Sequence, residues 1–127
     1  MQTFRKQEHL CNISDIDRLF KTGNAVFKYP VKMLWLPTDC EKTPCIKVLL
    51  SVPKRNFRHA VDRNKIKRLL RECYRKNKYI AMEGLNGKSC HLAFIYAGKE
   101  IVDINSLEPI IIQLLQRLVS AHEKTTG

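Results

Sequence analysis

The sequence predicts an α+β fold: a two-layer sandwich in which a small mixed, mostly antiparallel sheet is packed by three helices, in the order helix, strands, helix, strand, helix. Three observations carry this reading. Two apolar runs of strand character, residues 46–52 and 90–97, are closed by Pro53 and Gly98. Between them, residues 62–78 contain no Gly or Pro and repeat their apolar residues at helical spacing. The chain then ends on a second helical stripe of Leu107, Ile110, Ile111, Leu114, Leu115 and Leu118. With 127 residues, 44% of them hydrophobic, it suits one domain with one core over about residues 10–120. Residues 1–9 and 122–127 are expected to be flexible.

Residues 1–11 are polar and read as loosely held. Asn12 or Ser14 caps a first helix reaching about Lys21, with Asp15 and Asp17 in the first turn, where negative charge opposes the helix dipole. Ile16, Leu19 and Phe20 recur at i, i+3, i+4, and Gly23 stands where a helix end favours a left-handed residue. Residues 25–36 are rich in β-branched and aromatic types and read as one strand kinked at Pro30. Residues 39–44 read as a turn or hairpin loop, 46–52 as a buried strand, and 56–61 as a loop. The central helix should end at 82–84, and Asn86-Gly87 marks the turn before the last strand. Asn105 or Ser106 caps the final helix, with Glu108 and Pro109 in its first turn and a frayed tail at 122–127.

Charge is concentrated in one place. Residues 51–78 hold eleven Lys and Arg against Asp62 and Glu72, eleven minus two or +9, out of +11 for the whole chain. At about 100° per residue, Ile66, Leu69, Leu70, Cys73 and Ile80 fall on one stripe of the central helix. Asn64, Lys67, Arg68, Arg71, Arg75 and Lys78 fall opposite, with Arg63 and Tyr74 at the boundary. Most charged helix faces are simply solvated, but those mix signs. This one is almost purely positive, as a surface for a polyanion would be.

The residues that carry this charge also carry a resemblance. Arg63-Asn64-Lys65-Ile66-Lys67-Arg68-Leu69-Leu70-Arg71-Glu72 looks like the signature helix of the bacterial ribonuclease P protein family, R-N-x-x-K-R-x-x-R. Leu50-Ser51-Val52-Pro53-Lys54-Arg55 resembles that family's strand ending in a basic pair, and Ala60-Val61 precedes the Arg-Asn as it does in the family. The resemblance spans about residues 10–120. It implies the fold shared with a domain of a small-subunit ribosomal protein, with a left-handed crossover at the basic helix where the general rule for parallel strands gives a right-handed one.

The resemblance further implies a protein subunit of ribonuclease P, an endonuclease in which the RNA subunit, with Mg²⁺, removes the 5′ leader of precursor tRNA. Lys54, Arg55, Arg58, Arg63, Asn64, Lys67, Arg68, Arg71 and Arg75 would then contact the RNA subunit. Arg63 and Asn64 have a structural alternative, capping or bracing the helix start. The single-stranded leader would enter a cleft between the first helix and the open sheet face, lined here by Phe20, Phe27, Tyr29 and Lys32. Phe20 has the alternative of a core residue. The sequence departs from the family pattern at Ile16, where Phe is usual, and at Leu34, near a common aromatic position. It also has Arg58-His59 in place of Gly-Asn, and only Arg5 and Lys6 remain of an N-terminal basic cluster. The partners implied are the RNA subunit and precursor tRNA, and the free protein is expected to be a monomer in the cytoplasm. A structural RNA-binding protein of the ribosome type is the alternative reading; it would share the basic helix and need no leader cleft.

No catalytic constellation of the protein's own is legible. Asp15 and Asp17 lie two apart on a helix and so do not face one another. His9, His59, His91 and His122 are scattered, and no phosphate loop of the form GxxxxGK[ST] occurs. No cofactor bound by the protein itself and no metal site are expected. The five cysteines, Cys11, Cys40, Cys45, Cys73 and Cys90, include no Cys-x-x-Cys and read as reduced thiols, a Cys40–Cys45 bridge being conceivable. No run of about 18 apolar residues predicts a membrane span, and the polar N-terminus lacks the apolar stretch of a signal peptide.

Overall fold

The computed structural model describes residues 10, 12–38, 46–85 and 89–126, the last five by backbone alone. The elements are α1 (Ile13–Thr22), β1 (Asn24–Lys28), β2 (Val31–Thr38), β3 (Ile46–Ser51), α2 (Ala60–Gly84), β4 (Ser89–Tyr96) and α3 (Ile104–Thr126). The four strands form one sheet in the order β1-β2-β4-β3. β1 and β2, and β2 and β4, pair antiparallel, whereas β3 and β4 pair parallel and are joined through α2. This is the α+β sandwich expected from the sequence.

Alternation along the strands gives the sheet two unlike faces. One carries Val31, Met33, Trp35, Ile46, Val48, Cys90, Leu92, Phe94 and Tyr96 into the main core. There they meet Ile66, Leu70, Cys73, Tyr74 and Ala81 of α2 and Leu107, Ile111, Leu114, Leu115 and Leu118 of α3. The other face holds a smaller cluster of Leu34 and Ala93 under Leu19 of α1, with Leu10, and with Ile16, Leu36, Leu49 and Ile95 at its margin.

Several local expectations are corrected. Residues 25–36 are not one kinked strand but a hairpin, with Lys28 paired to Val31 and a cis Tyr29–Pro30 peptide in the two-residue turn. Pro30 has no N–H to give a ladder, and the turn is where none is needed. Residues 39–44 lie outside the described residues; the strands on either side of them, β2 and β3, are not paired with each other, since β4 sits between them. Asn86-Gly87 and Cys40–Cys45 also lie outside the described residues. Asn12 does cap α1, its side chain accepting from the Asp15 N–H at 3.2 Å. Gly23, however, is extended (φ −69°, ψ 156°), not left-handed. It is needed there because an added Cβ would collide with the Leu19 carbonyl. Asp17 lies beyond the first turn and pairs with Lys21 at 2.9 Å.

α2 begins two residues before the expected Asp62, after His59, and ends at Gly84 as the sequence indicates. A Cβ on Gly84 would run into Val119, so the glycine lets α3 approach α2 closely. α3 starts at Ile104, and its first N–H groups are capped by Asp103 rather than Asn105 or Ser106: Asp103 Oδ1 accepts from the Ser106 N–H at 3.0 Å. Pro109 is thereby the sixth helical residue instead of a first-turn one, and the helix runs to Thr126. Leu10, in a segment that reads as loose, is buried, and its N–H donates to the Val48 carbonyl of the edge strand β3 at 2.9 Å.

Helical phase alone misplaces one residue of α2. Tyr74, at the boundary, is fully buried, its ring 5.9 Å from that of Phe94. Asn77 is buried as well and is satisfied there, its amide donating to the Cys73 carbonyl (2.8 Å) and to Glu108 of α3 (3.0 Å). Burial pushes the Cys73 and Cys90 thiols up to about 12, and both are free. Buried thiols of this kind are inert.

Candidate nucleic-acid interface

α2 sets up the basic surface by burying one stripe and exposing the rest. Ile66, Leu70, Cys73, Tyr74, Asn77 and Ala81 face inward. Asn64, Lys65, Arg68 and Arg71 are consequently turned out to solvent, with Arg63 and Lys67 half-buried on the flanks. From Arg63 to Arg71 five cations stand with no carboxylate among them. Several Arg side chains on one helix face suit phosphate, whose oxygens a guanidinium fork can grip in pairs.

The loop between β3 and α2 extends this surface. Lys54, Arg55 and Arg58 are exposed on it, while Val52 and Phe57 are buried and anchor it. The Phe57 ring lies 5.9 Å from that of Tyr96, and the Asn56 N–H closes a turn on the Pro53 carbonyl at 3.2 Å. Arg63 braces the same loop: its Nη1 donates to the carbonyls of Phe57 and Arg58, both at 2.9 Å. The structural alternative for Arg63 is therefore realised, whereas Asn64 is exposed and the N-cap, His59, makes no side-chain cap. Arg75 differs from the rest of the predicted set. Its Nε and Nη2 donate to Glu72 at 3.0 and 2.5 Å, and Lys76 stands 4.0 Å from the same carboxylate. The Arg75 hydrogen bond holds the Glu72 carboxyl below its usual range.

The second candidate surface is the sheet face that α1 only partly covers. α1 packs over Leu34 and Ala93 through Leu19. One row beyond, Phe27, Lys32, Ile95 and Ser51 are cross-strand neighbours through all four strands. Phe27 and Lys32 are exposed, and Ile95 and Ser51 are half-exposed. Tyr29 extends the row into the hairpin turn, its ring 6.4 Å from that of Phe27. Three of the four predicted cleft residues are thus brought together at one end of the sheet. Phe20 stands on a different element, α1, and is 46% exposed, which removes the core alternative. Ser51 ends β3, so the open row leads directly into the basic loop at Lys54 and Arg55.

Sequence reading misses several residues around these surfaces. Lys47 and His91 are register partners on the α1 side of the sheet. Burial holds the His91 pKa below its ordinary value; nearby Asp15 works against this, and Lys47 and Arg18 add to it. The alternation of His91 with Ala93 and Ile95 along β4 is the available signal. Arg117 of α3 reaches the Phe27 carbonyl at 3.4 Å, a contact across the chain that no local pattern could have given. Among the described residues no group of three or more His, Cys, Asp or Glu is placed to hold a metal ion, and no helix is long and apolar enough to cross a membrane.

A four-stranded mixed sheet with one long cationic helix between its parallel strands defines a class of small α+β proteins, and solved structures share it. The ribonuclease P protein of Staphylococcus aureus superposes with a TM-score of 0.72 at 19% identity, over 89% of this chain and 96% of that one. The ribonuclease P protein of Thermotoga maritima gives 0.71 at 24% identity, over 87% and 96%.

Sequence relationships are closer. The ribonuclease P protein component of Porphyromonas gingivalis is 31% identical over 115 residues, covering 89% of this chain and 84% of that protein. The one from Chlorobaculum tepidum is 33% identical over 118 residues, covering 84% and 77%. The family model described as Ribonuclease P matches residues 4–118, and the chain belongs to this family, as a component of the endoribonuclease ribonuclease P.

Proposed function

We propose that this chain binds the catalytic RNA subunit of ribonuclease P through the outward face of α2 and the 52–59 loop, and the 5′ leader of precursor tRNA along the open row of the sheet. The observation that carries the reading is the run of five cations from Arg63 to Arg71 on α2, with no carboxylate among them, in a chain belonging to this family. In this role Lys54, Arg55, Arg58, Lys67, Arg68 and Arg71 neutralise phosphates, and counterion release makes the affinity salt-dependent. Asn64 has an amide able to meet a sugar or base edge. Arg63 holds the loop and helix in fixed relation while keeping further N–H donors in its fork. Phe20, Phe27 and Tyr29 supply ring faces for unpaired leader bases, and Lys32 a charge for the leader backbone.

Mg²⁺ is held by the RNA in this reading. Hydrolysis belongs to the RNA subunit, and the protein's part is to orient the two RNAs in the cytoplasm. A purely structural RNA-binding protein would lack the leader function. The discriminating experiment measures the affinity of the RNA subunit for precursor and for mature tRNA, with and without the protein. The protein is expected to tighten binding of the leader-bearing RNA selectively; equal tightening of both would favour the structural role.

A further inference from the structure

The outward face of α2 changes character along its length. After Arg71 the run of uncompensated cations gives way to Glu72, which answers Arg75 and Lys76. On the same face beyond Arg71 stand two large apolar side chains that the core does not use, Tyr79 at 44% exposure and Met82 at 39%. Arg68, Arg75, Tyr79 and Met82 fall within about 60° of one another around the helix axis, roughly opposite the buried stripe. Tyr79 lies about 6 Å along the axis from Arg75 and about 16 Å from Arg68. A strand tracking the cationic half would therefore meet an aromatic ring a few turns further on, where charge no longer dominates.

We infer that Tyr79, edged by Met82, is a stacking platform for an unpaired base of the RNA subunit, extending the RNA interface to the C-terminal half of α2. The inference rests on the assignment of the cationic half of α2 to that RNA. The polyanion is selected by the single-sign charge of that half, and the ring face, open to solvent, matches what unpaired RNA bases offer at loops and bulges. Stacking adds affinity without neutralising a phosphate, and this separates Tyr79 from its arginine neighbours in an experiment.

The test measures binding of the full-length protein to a ribonuclease P RNA transcript over a range of salt for wild type, Tyr79→Ala, Tyr79→Phe and the Arg68→Ala/Arg71→Ala pair. Tyr79→Ala is expected to weaken binding about 5- to 150-fold, with the salt dependence and the melting curve of the free protein unchanged. Tyr79→Phe, which keeps the ring, should stay near wild type. Wild-type affinity in Tyr79→Ala alongside a weakened arginine pair would overturn the platform and leave the underlying assignment intact. A loss in Tyr79→Phe equal to that in Tyr79→Ala, or a flatter salt dependence in Tyr79→Ala, would overturn it as well, since the hydroxyl or a phosphate would then be the contact. An arginine pair indistinguishable from wild type would remove the assignment on which the inference stands.

Discussion

Replacing Arg68 and Arg71 together with alanine is expected to weaken binding to the RNA subunit roughly 10- to 100-fold and to flatten its salt dependence by about two units of log–log slope, one for each phosphate no longer neutralised. Both side chains are exposed on the outward face of α2 and carry no part of the core. The folded protein should melt as wild type does, because surface substitutions away from caps and packing usually change stability by no more than about 0.5 kcal/mol. Filter binding across a salt series checks the slope, and circular dichroism the fold. An unchanged slope would mean that these arginines do not touch the RNA backbone. Arg75→Ala should act less through the slope, since its guanidinium is already engaged by Glu72.

The second large effect is expected at Phe20. Its ring is 46% exposed on α1, so Phe20→Ala should leave the melting temperature near wild type, in contrast to the roughly 3–5 kcal/mol that truncating a buried Phe costs. In the assembled enzyme the same variant should lose about 1–3 kcal/mol of stacking on a leader base, or about 5- to 150-fold in affinity for leader-bearing tRNA. Mature tRNA, which has no leader to stack, should bind as before. Parallel measurements with Phe27→Ala would locate the leader between α1 and the hairpin end of the sheet. If both tRNAs weaken equally in Phe20→Ala, the leader does not run past this ring.

Local chemistry makes much of this legible. The basic helix, its end at Gly84, the apolar stripe of α3 and the Asn12 cap all follow from periodicity and capping residues, which act within a few positions. The rest depends on contacts between distant parts of the chain. Tyr74 looks like a flank position by helical phase, but β4 closes over it, and the polar Asn77 on the buried stripe is satisfied only because Glu108 of α3 completes its hydrogen bonds. Gly23 does end α1, but for a different reason from the one its residue type suggests. The constraint is its closeness to the Leu19 carbonyl rather than a left-handed backbone.

For the candidate site, composition and spacing find the cations but cannot distinguish Arg63, which holds the loop, or Arg75, which is bound to Glu72, from those left to face a ligand. The open row of the sheet is invisible in the sequence because β1 and β2 read as one strand. Only their pairing sets Phe27 beside Lys32 and carries the row through Ile95 to Ser51 and the basic loop.

If this protein orients RNA while another molecule performs the cleavage, the division of labour is visible when protein freed of all RNA is incubated with precursor tRNA and Mg²⁺, with and without the RNA subunit, and the 5′ ends produced are mapped. Release of the leader at the mature 5′ end is predicted only where the RNA subunit is present. Cleavage at that position by the RNA-free protein, at a rate comparable to the reconstituted complex, would place the catalytic groups on the protein instead.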